Sequence, residues 1–302
     1  MSETIVSTDF SDSITEQPLN ETTNSVVKSA NWHFTTRCNY HCKFCCRQNA
    51  EGDLKSPELI EEVLEQLKKL GIEKLNLVGG EPLMHKMFFS LVRAAYQKGF
   101  TVSVTTNGSL IDERSLARMK PYVKWIGISL DSVSDVTAKE MGRGKGAHLK
   151  HIREIVPLIH EAGINLKINT TVTRQTKDED MHELIAELSP ARWKVFQFME
   201  IKGQNDTTAD EFAITDEEFE AYCKRHEDIR LIQKDGTKDT PVVETADCMK
   251  VSYLIIDAEG NVEKTTENGV ERIPLKDVDL STLSNVVDYD EYERRRAKYE
   301  WK

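Results

Sequence analysis

Cys38-Asn39-Tyr40-His41-Cys42-Lys43-Phe44-Cys45 follows a short strand-like run, Asn31 to Thr36, and its C-x3-C-x2-C spacing decides how the rest of the chain is read. Thiols four and three residues apart do not all fall on one strand face, whereas a loop wraps them around one metal centre. Thiolates select zinc, copper(I) or iron–sulfur clusters. Three protein ligands leave a coordination position open, which suits chemistry better than scaffolding. The paired C-x2-C of a zinc ribbon is absent. The plain alternative is a set of incidental buried thiols. Four of the six cysteines lie within residues 38–46, which points to an intracellular metal site rather than a disulfide framework.

Outward from this loop the pattern is regular. Ser56-Pro57 gives an N-cap and a proline at the first helical position. Leu59, Ile60, Val63, Leu64, Leu67 and Leu70 then make one apolar face, ended by Gly71. Strands are expected at 31–36, 74–78, 100–105, 123–130, 165–173 and 193–201. Helices are expected at 57–70, 87–98, 112–119, 148–162 and 178–188. Six strands alternating with helices predict an α/β fold, a partial (βα)6 barrel with its chemistry at the C-terminal strand ends. The cysteine loop lies at that end. Beyond residue 202 the pattern weakens to a helix from Thr215 to Lys224, a strand at 252–257 and a charged helix over 289–302. The expected organisation is a tail over 1–27, the barrel over 28–202, and a C-terminal extension over 203–302 that covers the barrel mouth.

The chain has 302 residues and a net charge of −11, from 40 basic and 51 acidic side chains, which argues against a general nucleic-acid or anionic-membrane binder. No apolar run is long enough to span a bilayer. Residues 1–27 hold five acidic residues, no Lys or Arg, and many Ser and Thr. They read as a disordered tail rather than a signal peptide, so a cytoplasmic location is expected.

Further polar groups gather at the strand ends. Gly79-Gly80-Glu81-Pro82 follows the second strand, Thr106-Asn107 the third, and Ser129-Leu130-Asp131 the fourth. Paired glycines let a ligand approach the backbone, and Glu81 can accept from an ammonium group. Taken singly, each is as readily a turn or a helix cap. Gly142-Arg143-Gly144-Lys145-Gly146 lacks the Lys-Ser/Thr ending of a P-loop, and Arg143 reads as a fork-like donor to a carboxylate. Strand parity puts Lys167 with Asn169, Arg192 with Lys194, and Lys74 with Asn76. Strands of a parallel barrel are buried on both faces, so these four cations are expected to converge inside an acidic protein. Buried cations call for an anion, and a polyphosphate suits; internal salt bridges are the alternative.

The cysteine spacing, Phe44 and the Gly-Gly-Glu-Pro turn together resemble the radical SAM superfamily. Asn-Trp-His-Phe-Thr at 31–35, Lys167-Ile168-Asn169, Arg192-Trp193-Lys194-Val195-Phe196-Gln197 and Ser252-Tyr253-Leu254-Ile255 resemble its viperin family, with matching segments across roughly residues 28–300. The resemblance implies a [4Fe–4S] cluster on Cys38, Cys42 and Cys45, with S-adenosylmethionine (SAM) on its open iron. It implies SAM contacts from Phe44, Gly79, Gly80, Glu81, Asn107, Ser129 and Arg143. Lys74, Lys167, Arg192 and Lys194 would hold a triphosphate, with Asn31 and Asn169 near the nucleotide. The implied activity is radical dehydration of a nucleoside triphosphate, CTP first, to its 3′-deoxy-3′,4′-didehydro analogue, an antiviral chain terminator. A 5′-deoxyadenosyl radical would take hydrogen from C4′, the 3′-hydroxyl would leave as water, and Tyr253 would supply a hydrogen atom. A one-electron donor such as a flavodoxin or ferredoxin is implied as a partner.

Departures from the family also bear on the reading. Cys46 stands where an aromatic is common and is expected not to be a ligand, because the motif is complete without it. The amphipathic N-terminal helix and longer Trp-terminated tail of animal viperins have no counterpart, which suggests a microbial or divergent member. UTP or GTP is therefore an alternative substrate, as is another phosphorylated small molecule. Other radical SAM enzymes often carry further cluster cysteines near the C-terminus, where this chain has only Cys223 and Cys248. A non-catalytic zinc module is the alternative from another class.

Overall fold

In a computed structural model of the chain, residues 27–295 are described, except residue 234. The tail expected over 1–27 lies outside the described residues but for Val27, which is fully buried in the core. The last residues of the charged C-terminal helix also lie outside them.

Strands β1 (Ser29–His33), β2 (Lys74–Val78), β3 (Thr101–Thr106), β4 (Val123–Ser129), β5 (Asn165–Val172) and β6 (Arg192–Gln197) alternate with helices. These are α1 (Pro57–Lys69), α2 (Phe88–Gln97), α3 (Glu113–Met119), α4 (Asp135–Glu140), α5 (His148–Glu161) and α6 (His182–Leu188). After α7 (Ala209–Phe212) and α8 (Asp216–Arg225) come a small hairpin, β7 (Leu231–Ile232) with β8 (Lys238–Asp239), and then β9 (Val242–Glu244). Helix α9 (Ala246–Val251) leads to β10 (Leu254–Ile256), β11 (Asn261–Thr266) and β12 (Gly269–Pro274), and α10 (Tyr289–Arg294) follows.

One ten-stranded sheet has the order β12-β11-β10-β1-β2-β3-β4-β5-β6-β9. It is parallel from β10 through to β9, and β11 and β12 add antiparallel strands at one edge. The order is linear with two ends, so the barrel is open, as the sequence pattern predicts. The C-terminal third supplies strands to both sheet edges. Helix α6 begins at His182 rather than 178, because Glu179 is used as an acceptor: its carboxylate takes the Ser132 hydroxyl at 2.7 Å and the Val133 N–H at 2.8 Å.

The two faces of the sheet are distinct. Outward residues Leu75, Leu77, Val102, Val104, Ile126, Ile128, Leu166, Ile168, Trp193 and Val195 pack into one core with Ile60, Val63, Leu64 and Leu67 of α1 and Ile152, Ile155 and Ile159 of α5. Burying each such side chain contributes about 1.5–3 kcal/mol. The opposite face is polar. Register pairs Asn31 with Asn76, Thr105 with Gly127, Gly127 with Lys167, Lys167 with Arg192, and Asn169 with Lys194.

Candidate active site

The mouth is built from backbone. The segment leading into the cysteine loop lies across the Gly79-Gly80 turn: the Gly80 N–H donates to Thr35 O and the Glu81 N–H to Arg37 O, both at 2.7 Å. A Cβ on Gly80 would fall 2.2 Å from Arg37 O, and one on Gly79 2.4 Å from Thr35 O. In this structure the glycines are needed for that approach of the chain to itself. On the other side, the His41 N–H donates to Gly142 O and the Lys43 N–H to Met141 O. A Cβ on Gly142 would meet His41 O at 2.1 Å.

The carboxylate of Glu81 is fully buried and accepts from the Thr106 hydroxyl at 2.7 Å, the Asn107 N–H at 2.8 Å and the Leu83 N–H at 3.1 Å. Burial raises its pKa against those hydrogen bonds. Glu81 thus ties the end of β3 to the turn after β2. Asn107 in turn donates to Asn39 Oδ1 at 2.9 Å and approaches Cys38 Sγ at 3.8 Å. Arg143 is ion-paired with buried Asp131 and lies 5.3 Å from the centre of the Phe44 ring. The carboxylate expected opposite its fork therefore comes from within the chain. Ser129 is half-buried at the end of β4, and its carbonyl is 3.0 Å from Nε2 of His148.

Burial pushes the thiols of Cys42 and Cys45 up to about 12, so a cation is needed to hold them as thiolates. The Sγ atoms of Cys38, Cys42 and Cys45 do not all lie within 4.8 Å of one another; among the described residues only Asp180, His182 and His226 form such a compact group. Three soft thiols on one loop after β1 fit an iron–sulfur cluster with one position left open. At the compact histidine group, Nε2 of His226 already accepts the Met181 N–H at 3.0 Å, which leaves it no lone pair for a metal.

The floor of the barrel is charged. Lys74, Lys167, Arg192 and Lys194 are all buried on the inner face, and Arg295 joins them. Burial lowers the pKa of Lys167 to about 7, with Lys194 and Arg192 adding to the effect. Burial also lowers that of Lys194 to about 8, although Glu244 works the other way. Lys74 is pushed well below its usual value by burial and by Lys167, Arg192, Lys194 and Arg295. Two carboxylates face the group. Glu244 is buried and ion-paired with Lys194; Asp239, partly exposed, is 3.9 Å from Arg192. Among the described residues no hydrogen bond or ion pair reaches the Lys167 ammonium.

Between floor and mouth lies an amide layer. Asn76 donates to Asn31 Oδ1 at 3.0 Å and to Thr105 Oγ1 at 3.1 Å. Asn169 Oδ1 is buried without a partner. Gly127 keeps this layer open, since a Cβ there would fall 2.9 Å from Lys167 Cε and 3.0 Å from Asn169 Nδ2.

Tyr253 immediately precedes β10, while Glu244 ends β9 at the far edge of the parallel strands. The curved sheet brings them together: the Tyr253 hydroxyl donates to Glu244 Oε2 at 2.5 Å and accepts from Lys194 Nζ at 2.6 Å. Arg295 lies over the Tyr253 ring at 3.8 Å and donates to Ser252 O at 3.1 Å.

A family model described as the radical SAM superfamily matches residues 32–188. The S-adenosylmethionine-dependent nucleotide dehydratase of Thermoplasmatales archaeon (strain ISO4-H5) is 35% identical over 287 residues, covering 94% of this chain and all of the relative. The chain belongs to these radical SAM nucleotide dehydratases. A relative of the same name from Flammeovirga pacifica is 31% identical, over 92% of this chain and 98% of its own. The S-adenosylmethionine-dependent nucleotide dehydratase RSAD2 of Danio rerio is 34% identical over 76% of this chain and 65% of its own, in keeping with the viperin resemblance. Among solved structures, native anSMEcpe with bound AdoMet and the Kp18Cys peptide aligns with a TM-score of 0.63 at 15% identity, covering 87% of this chain and 82% of that one. Streptococcus suis SuiB bound to S-adenosylmethionine gives 0.60 at 18%, covering 90% and 68%. At these identities the likeness is one of fold. The dehydratase is an enzyme whose cofactors are a [4Fe–4S] cluster and SAM.

Sequence reasoning missed Glu244, Arg295 and the pairing of Asp131 with Arg143. Glu244 and Arg295 lie in segments without a motif, and Asp131 looked like the end of a strand. A shallow surface cavity of about 740 Å³ between α3 and α5, lined by Asp112, Glu113, Arg114 and His151, shares no residue with the site. Among the described residues no helix is long and apolar enough to cross a membrane.

Proposed function

We propose that the nucleotide is a nucleoside triphosphate, CTP before UTP or GTP, and that it is dehydrated to its 3′-deoxy-3′,4′-didehydro analogue. The observation that carries this reading is the convergence of buried Lys74, Lys167, Arg192, Lys194 and Arg295 on one inner face, close enough to depress one another's pKa values. A polyphosphate among those cations offsets the burial, and the mutual repulsion added to it, that hold Lys167 and Lys194 below their usual pKa. CTP is placed first on the likeness of Lys167-Ile168-Asn169 and the Arg192–Gln197 run to viperins.

Cys38, Cys42 and Cys45 would hold the cluster, and Gly79, Gly80, Glu81, Asn107, Ser129 and Arg143, with Phe44, would line the SAM site. When bound, the cluster and SAM supply the one-electron chemistry that opens a ribose C–H bond. The chain does the rest. The floor cations fix the triphosphate, and Asn31 and Asn169 face the sugar between floor and mouth, with the buried Asn169 Oδ1 ready to accept from a ribose hydroxyl. Tyr253, whose hydroxyl is held by Glu244 and Lys194 at the floor, would be the hydrogen donor that completes the reduction. A one-electron donor, flavodoxin or ferredoxin, is part of this proposal.

The test is to incubate the reconstituted, reduced enzyme with SAM and each of CTP, UTP and GTP, and weigh the products. CTP is expected to lose the mass of one water in step with SAM cleavage. Loss from UTP or GTP in preference reassigns the base. SAM cleavage with no dehydrated nucleotide overturns the reading.

A further inference from the structure

The ion pair at the seam of the barrel does more than hold two strands. Glu244 is 1% exposed and lies against the cations of the floor. Burial pushes its carboxyl upward, but Lys194 and Arg295, with the hydrogen bonds from Lys194 and Tyr253, more than offset this and keep it ionised. A buried carboxylate among like-placed cations occupies the kind of environment a phosphate needs. The same carboxylate fixes the direction of the Tyr253 O–H at 2.5 Å, and Lys194 donates to that oxygen from the other side at 2.6 Å.

We propose that Glu244 is a positioning residue with two duties: internal counter-anion of the phosphate-binding floor, and acceptor that fixes the Tyr253 hydroxyl. This rests on the reading that a triphosphate occupies the floor and Tyr253 serves the reaction. Arrival of the nucleotide gives Lys194 a second anionic partner. The charge of Glu244 then opposes the phosphates, while its hydrogen bond keeps the phenol in place. The two duties separate chemically: Gln retains the acceptor and drops the charge, Asp retains the charge and shortens the reach, and Ala removes both.

The test uses the reconstituted full-length enzyme with SAM and the nucleotide that the wild type dehydrates, reading nucleotide KM, kcat and SAM cleaved per product. Glu244→Gln is expected to lower the nucleotide KM roughly tenfold, the size of one screened like-charge contact, with the cleavage ratio unchanged. Glu244→Asp is expected to keep the wild-type KM and raise the ratio, and Glu244→Ala to change both. A purely structural seam would lower the melting temperature of all three and move neither KM nor ratio, which overturns the proposal. An unchanged or raised KM in Glu244→Gln also overturns it. Should Glu244→Gln fail to fold, Glu244→Asp decides: a wild-type ratio overturns the proposal. Two controls test the underlying reading instead: product from the wild type, and a raised cleavage ratio in Tyr253→Phe.

Discussion

The mouth and the floor of this barrel are held together by opposite means. At the mouth, the Gly80 and Glu81 amides bond to Thr35 and Arg37 just before the cysteine loop, the loop's own amides bond to Met141 and Gly142, and the charged groups Glu81 and Arg143 are satisfied within the chain. On the floor, five cations are buried together, no hydrogen bond or ion pair reaches the Lys167 ammonium among the described residues, and burial keeps two lysines close to losing their protons. A rigid, self-satisfied mouth suits a cofactor that must be held in one geometry. A floor of clustered buried cations suits a substrate that arrives, is neutralised and leaves.

The largest break in this comparison is at the thiols. Replacing Cys38, Cys42 or Cys45 with Ala is expected to abolish cluster absorbance and SAM cleavage together, while Cys46→Ala keeps both. Next come the glycines. Gly80→Ala and Gly142→Ala drive a methyl into backbone carbonyls at 2.2 and 2.1 Å. Each should cost about 1–3 kcal/mol or more in denaturant melts, by overpacking, and weaken cluster retention.

The floor is sharpened by pH. Lys167 and Lys194 are charged at pH 6, and a bound anion raises both pKa values, so binding takes up protons between pH 7 and 8. Nucleotide KM is expected to rise roughly tenfold for each charge lost as pH climbs through this window. Measuring KM from pH 6 to 9 checks this, and a flat profile removes the lysines from the site.

A smaller effect belongs to the wall beside the mouth. His148 is buried, which lowers its pKa to about 4, with Arg143 contributing in the same direction. The unfolded chain, near 6.5, binds the proton first, so stability falls as pH drops from about 6.5 to about 4. The loss reaches at most about 3 kcal/mol. Equilibrium melts of wild type and His148→Gln across that range should differ in slope.

Much of the mouth was legible because its motif is local: eight residues carry the three candidate ligands, and the glycine turn follows on the next strand. The floor was legible by parity, since alternation alone put Lys167 with Asn169 and Arg192 with Lys194 on one face. Two things escaped. Glu244 and Arg295 reach the floor only because the sheet curves until β9 and β10 face each other, and strands of three residues carry no periodicity. The turn glycines read as room for a ligand, and residue type could not reveal that the chain's own carbonyls also pack against them. Helices α4 and α9, six residues each, fell below the length at which an apolar face can be read.

The division of labour between the two ends is tested most directly by Lys167→Met, which removes one floor charge and leaves the mouth untouched. Cluster absorbance and SAM affinity should match the wild type, while nucleotide KM rises about tenfold to a hundredfold. A wild-type KM in that variant would contradict the assignment of the floor to the triphosphate.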